Sequence, residues 1–225
     1  MTPTTPSLSV RARRGLRNIA IVAASFGAVG VAMAIDSGSA GAVSNVNELA
    51  PEITTSARQA VAALDAYAES GSVADEQSLA WHRAITARYT ARELGYDELA
   101  MVDAWRTTSL EHQRAVLGAL TQVGVPYRTN TSKEGEGFDC SGLTTFAWGG
   151  AGVSLTRQSG SQISDAQRID RESAEAGDLV HYPGHVMLYL GVDDAIVHSV
   201  SSGRTVEVDT IRSGSVSFGD PTHSS

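Results

Sequence analysis

Four short apolar runs toward the end of the chain constrain its architecture more than any other feature. Asp178-Leu-Val-His-Tyr182 and His185-Val-Met-Leu-Tyr-Leu190 are joined by Pro183-Gly184, a turn dipeptide. Ala195-Ile-Val-His-Ser-Val200 and Thr205-Val-Glu-Val-Asp-Thr-Ile211 follow, separated by a turn that contains Ser-Ser-Gly. Runs spaced in this way predict a meander of antiparallel strands. Alternation places Val186, Leu188 and Leu190 on one face, and His185, Met187 and Tyr189 on the other. His198 shares its face with Ile196 and Val200. Helical patterns precede the meander, so the expected fold class is α+β, with helices gathered against one antiparallel sheet.

From Asn45 to about Arg106 the chain is rich in alanine. Val46, Leu49, Ile53, Ala57, Val61, Leu64 and Ala68 recur in steps of three and four, which makes one helical stripe. Gly71 and Ser72 break it. Asp75 is the expected cap of a second helix, whose buried face includes Leu79, Ile85, Tyr89 and Leu94. Gly95 ends that helix, and Asp97 to Arg106 makes a shorter third. Residues 43–106 are therefore read as a hairpin or small bundle. Its stripes must be buried against one another, against a helical partner, or across the following domain, where they would limit access to a site near Cys140. Thr108-Ser109-Leu110-Glu111 reads as a capping box opening a further helix through Ala115, Leu117 and Leu120. Gly124-Val125-Pro126 stops it, Arg128 to Gly137 reads as a polar loop, and the compact domain spans residues 107–212. Residues 213–225 read as a flexible tail.

Residues 1–17 hold four arginines and no acid, residues 19–35 hold no charge, and Ala40-Gly41-Ala42 offers small side chains to a signal peptidase. That order predicts a secretory signal over residues 1–42, cut after Ala42, with an uncleaved anchor as the alternative. The segment has no cysteine, which excludes a lipoprotein anchor. The protein is thus expected outside the cytoplasm, secreted or in the cell wall, touching membrane only through an uncleaved signal. Cleavage takes four bases and one acid from totals of 17 and 25, leaving 13 and 24. So acidic a chain is not expected to bind nucleic acid.

Cys140 is the only cysteine, so no intramolecular disulfide and no cysteine-built metal cluster can form. It is either an inert core thiol or a nucleophile. It stands in Gly137-Phe-Asp-Cys-Ser-Gly-Leu143, ahead of a helical run from Thr144 to Trp148. A helix N-terminus favours the thiolate, and flanking glycines let a substrate come close. A thiolate nucleophile needs a base and the base an orienting partner, and neighbouring strands can set His185 beside His198. His181 and His185 are four apart on strands rather than on one helix, and make a poor zinc pair.

Phe138-Asp-Cys140-Ser-Gly-Leu, Ala176-Gly-Asp-Leu-Val, Gly184-His185-Val-Met-Leu-Tyr-Leu-Gly191 and Ile196-Val-His198-Ser together resemble the NlpC-type family of papain-like cell-wall cysteine peptidases. The resemblance runs from about Leu110 to Ile211. It implies Cys140 as nucleophile, His185 as general base and His198 as the polar third member. It further implies an oxyanion or substrate role for Tyr127, in Val-Pro-Tyr, and for Asp139 and Ser141. The implied activity is hydrolysis of peptidoglycan stem peptides between D-glutamate and the diamino acid, without metal or cofactor. An amidase or acyltransferase of the same fold, and an inactive wall-peptide binding module, are the other readings. The chain departs from the family at Arg128-Thr-Asn-Thr after the Pro-Tyr, at Leu155-Thr-Arg-Gln-Ser-Gly, and at His181 in place of an aromatic. These departures bear on the substrate pocket more than on the triad.

Overall fold

In the computed structural model of the protein, residues 47–212 and 214–224 are described. The expected signal segment, residues 1–42, lies outside the described residues. Helix α1 (Ala50–Ser70) is followed by α2 (Val73–Leu94), α3 (Glu98–Thr107) and α4 (Leu110–Leu120). A two-stranded hairpin, β1 (Ser132–Lys133) and β2 (Gly137–Phe138), leads into α5 (Cys140–Gly150) and α6 (Ser159–Asp165). Then come β3 (Ala166–Ile169), β4 (Leu179–Tyr182), β5 (His185–Tyr189), β6 (Ala195–Ser199), β7 (Val206–Thr210) and β8 (Ser217–Ser224). No helix among the described residues is long and apolar enough to cross a membrane.

Gly71 and Gly95 end α1 and α2 in the left-handed conformation, at φ 61° and 73°. Two expected caps shift by a few residues. Ser72, not Asp75, caps α2, its hydroxyl accepting from the Asp75 N–H. Ser109, not Thr108, caps α4, accepting from the His112 N–H. Thr108 is occupied in closing α3, its hydroxyl donating to the Trp105 carbonyl.

The helical stripes are buried within the chain itself. Ile53, Ala57, Ala60 and Leu64 of α1 share one core with Trp105, with Leu117 and Leu120 of α4, and with the strand residues Leu188 and Val208. The Trp105 indole N–H donates to the Leu190 carbonyl at 2.8 Å, and the Thr54 hydroxyl to the Val123 carbonyl. The Asn47 amide both donates to the Val208 carbonyl and accepts from its N–H, acting as a strand partner for the free edge of β7. Glu93 of α2 then accepts from the Glu48 and Leu49 N–H groups, which α1 cannot satisfy itself. These anchors join residues 47–106 to the same core as the sheet.

The large sheet is antiparallel throughout, in the order β3-β8-β4-β5-β6-β7. The meander from β4 to β7 matches the four runs expected. The expected flexible tail is corrected: Ser217–Ser224 is an inner strand, with Phe218 opposite Val180 and Gly219 opposite Leu179. Phe218 is its only large apolar residue, so no alternation marks it in the sequence. Gly219 packs tightly, since a Cβ there would lie 2.9 Å from Ile163 Cδ1 and 3.0 Å from Ala166 Cβ, and both would have to give way. The expected polar loop from Arg128 likewise contains the small β1–β2 hairpin. One face of the sheet carries Leu179, Val186, Leu188, Val197 and Val208 into the core shared with the helices. The other carries Val180, Met187, Tyr189, Ile196 and Phe218 as a second, smaller cluster.

Candidate active site

Cys140 is the first residue of α5 and is half-buried. The turn that presents it is braced from four directions. The Asp139 carboxylate caps α5, Oδ1 accepting from the Gly142 N–H and Oδ2 from the Asn130 N–H, each at 2.7 Å. Arg157 donates to Asp139 Oδ2 at 2.7 Å and to the Ser141 hydroxyl at 2.8 Å. Gln162 donates to the Ser141 carbonyl and accepts from the Thr144 hydroxyl. Gly142 is pressed so close to the preceding loop that a Cβ would lie 2.1 Å from the Thr131 carbonyl oxygen. Asp139 and Ser141 therefore have their polar atoms engaged in shaping the turn. Arg157 and Gln162 escaped the sequence reading, because each reaches partners about twenty residues earlier that no local pattern marks. The backbone of half-buried Tyr127 lies beside Phe138, two residues before Cys140, and its N–H donates to the Arg204 carbonyl.

Strand pairing delivers the two histidines. Tyr182 stands opposite His185 across β4–β5, and Ile196 opposite Asp209 across β6–β7. Alternation then puts Tyr182, His185, His198 and Asp209 on one face of the sheet, and His181 on the other. His181 and His185 are thus turned away from each other and cannot hold one metal. His185 Nε2 is 2.8 Å from His198 Nδ1, with the rings edge to face. Both side chains are buried. Asp209 Oδ2 lies 3.6 Å from His198 Nε2, an ion-pair separation longer than a hydrogen bond. Burial works against the Asp209 charge, but His198, the Thr210 N–H and Arg212 outweigh it and hold the carboxyl well below the usual range. A carboxylate there favours the proton on His198 Nε2. His198 Nδ1 then accepts from His185 Nε2–H, which leaves the lone pair of His185 on Nδ1.

Burial, helped by His198 and His181, pushes the His185 imidazole down to about 4, so it is neutral at physiological pH. The Tyr182 ring packs 5.2 Å from that of His185. Its phenol is pushed up by burial first and then by the nearby Cys140 and Asp209. Tyr182 thus lies within electrostatic reach of both Cys140 and Asp209. A hydrogen bond ties the two segments together: the Ser199 hydroxyl, next to His198, donates to the Phe138 carbonyl at 2.7 Å. A cavity of about 280 Å³ opens beside His198, lined by Tyr182, Met187, Arg204, Asp209 and Arg212 among others.

Residues 124–217 match the NlpC/P60 family. The peptidoglycan endopeptidase RipB of Mycobacterium tuberculosis is 33% identical over 114 residues, 44% of this chain and 47% of RipB. A gamma-D-glutamyl-L-lysine dipeptidyl-peptidase of Bacillus cereus is 35% identical over 94 residues, 38% of this chain and 28% of that protein. The chain thus spans less than half the length of the curated relatives it matches. Among solved structures, the P60 domain of an antigen from M. avium subspecies paratuberculosis is 27% identical. That match covers 50% of this chain and 96% of the other, with a TM-score of 0.44.

Proposed function

Residues 124–217 form an NlpC/P60-family domain, and from that premise we propose that the protein is an extracytoplasmic peptidoglycan hydrolase. It is a cysteine endopeptidase that cuts wall stem peptides between D-glutamate and the diamino acid. Cys140 is the nucleophile, His185 the base and His198 its orienting partner. The observation that carries this reading is the 2.8 Å bond between His185 Nε2 and His198 Nδ1, which leaves His185 Nδ1 for the thiol.

In the first half-reaction, neutral His185 takes the Cys140 proton as sulfur attacks the stem-peptide carbonyl carbon. Backbone N–H groups at the start of α5 receive the negative charge on oxygen, with Tyr127 at the same site. The tetrahedral intermediate collapses as the C–N bond breaks, and His185 returns the proton to the leaving amine. Water then attacks the thioester, gives its proton to His185, and the thiol is restored as the carboxylate leaves. Asp209 acts one step behind, fixing the tautomer of His198 and through it that of His185.

Mass spectrometry of wall fragments digested by the protein tests the assignment. The expected products are fragments cut after D-glutamate, absent with Cys140→Ala, which removes only a sulfhydryl and keeps the fold. Products of another amide or ester would make the protein an amidase or acyltransferase of the same fold. Binding of wall peptides with no product from the wild-type chain would make it a binding module.

A further inference from the structure

Far from the histidine pair, three other ionisable side chains converge. His112, in the first turn of α4, has its Nε2 3.2 Å from Asp178 Oδ1 and 3.7 Å from Asp220 Oδ1. The three ligating atoms all lie within 4.8 Å of one another, and such a group occurs once among the described residues. His112 and Asp178 are almost fully buried, and Asp220, on β8, is one-fifth exposed. His223 Nδ1 adds a fourth donor 2.9 Å from Asp220 Oδ2. The group borders a cavity of about 580 Å³ that Glu111 and Glu175 also line. Asp178 precedes β4 while Tyr182 ends it, so at about 3.3 Å per residue this group is some 13 Å along the strand from the Tyr182–His185 end.

Hydrogen bonds account for part of the arrangement: Asp178 Oδ2 accepts from the Glu175 N–H, and Asp220 Oδ1 from the Thr222 N–H and hydroxyl, which orients both carboxylates. His112 Nε2 can offer one proton, yet two carboxylates face it, and no lysine or arginine among the described residues pairs with either. A cation resolves this. Zinc bound at about 2.0–2.2 Å to nitrogen and oxygen holds neighbouring ligand atoms about 3.3 Å apart, close to the two separations seen. Ser109 Oγ sits 2.9 Å from His112 Nδ1, where it would accept the remaining ring proton and hold the tautomer that ligates through Nε2.

We propose that His112, Asp178 and Asp220 form a structural site for a divalent transition ion of the zinc type, with His223 or water completing the tetrahedron. The ion staples β8 to α4 and to the lead-in of β4, joining three segments distant in sequence. It takes no part in acyl transfer.

Metal uptake by the full chain tests this, with cobalt(II) and zinc as the probes. After chelation and dialysis, the expected result is one equivalent of cobalt(II) per chain, with the intense visible bands of tetrahedral coordination. Zinc should displace it and raise the unfolding temperature. Because His112→Gln removes a buried strut and can unfold the chain, the deciding variant is isosteric Asp220→Asn, its fold checked by circular dichroism. That variant should lose the bands, whereas Cys140→Ala should keep them. Uptake below one equivalent, bands that persist in Asp220→Asn, or bands that vanish in Cys140→Ala would overturn the proposal, the last by moving the metal to the catalytic thiol.

Discussion

At His185, burial beside a second histidine has a cost and a use. Its folded-state pKa of about 4 lies below the unfolded value of 6.5. Above pH 6.5 both states are neutral there and stability is unaffected. Between 6.5 and 4 the unfolded chain takes up the proton first, so stability falls by up to about 3 kcal/mol as pH drops through that window. With no ion bound, His112 acts in the opposite sense. Burial lowers it, but the Asp178 hydrogen bond and the charges of Asp178, Asp220 and Glu175 outweigh burial and raise it. Its contribution is present at low pH and lost as pH rises above 6.5. In the proposed mechanism, the use of the low His185 value is that the base remains unprotonated in mild acid. The acid limb of kcat/KM on a soluble stem peptide is expected below pH 6.5, and a limb at or above 6.5 would contradict the neutral resting imidazole. Asp209→Asn should lower kcat on the order of tenfold, leave KM unchanged and leave folding intact, because it removes the charge that fixes the His198 tautomer. Equal effects on kcat and KM, or none, would reduce Asp209 to a partner for Arg212.

At the level of elements, the helix that begins at Cys140 depends on a contact that tolerates no side chain. Gly142→Ala must push the Thr131 carbonyl away from α5, and a cost of at least about 3 kcal/mol in urea unfolding is expected. A loss under 1 kcal/mol would mean that the loop yields freely. The N-terminal helices are held as firmly. Trp105 is fully buried and hydrogen-bonded to the end of β5, so Trp105→Ala should cost about 3–5 kcal/mol by chemical denaturation. A value near zero would show that the helices are a detachable arm. The same anchoring bears on control of access to Cys140. A chain begun at Thr107 loses the cover of Leu117, Leu120 and Val208, so its activity would report damage to the core rather than release of a gate. Strong local signals made these elements readable: helix-ending glycines, regular apolar steps and alternating strands. β8 was not readable, because its place depends on pairing with both β3 and β4, which no local pattern encodes.

For the molecule as a whole, the sequence pointed to its chemical groups more readily than to the residues that hold them. Cys140, His185 and His198 could be picked out because a lone cysteine followed by two strand histidines on one face is a sparse pattern. Arg157, Gln162, Asp209 and Tyr182 could not, since each acts across the chain on a partner that only the folded topology brings near. The same topology governs the order in which the protein can assemble. β4 lies between β5 and β8, and the Asn47 amide pairs with Val208, 161 residues away. Contacts that close loops of this length form late, after the shorter hairpins. The β4–β7 meander can therefore form early as a half-covered sheet, with its free edges waiting for Ser217–Ser224 on one side and Asn47 on the other. A chain threaded linearly through a membrane pore would leave the sheet unfinished until residues beyond 217 had emerged. Under the proposed export and activity, the order of translocation itself would delay the completed fold, and with it hydrolysis, until most of the chain had crossed.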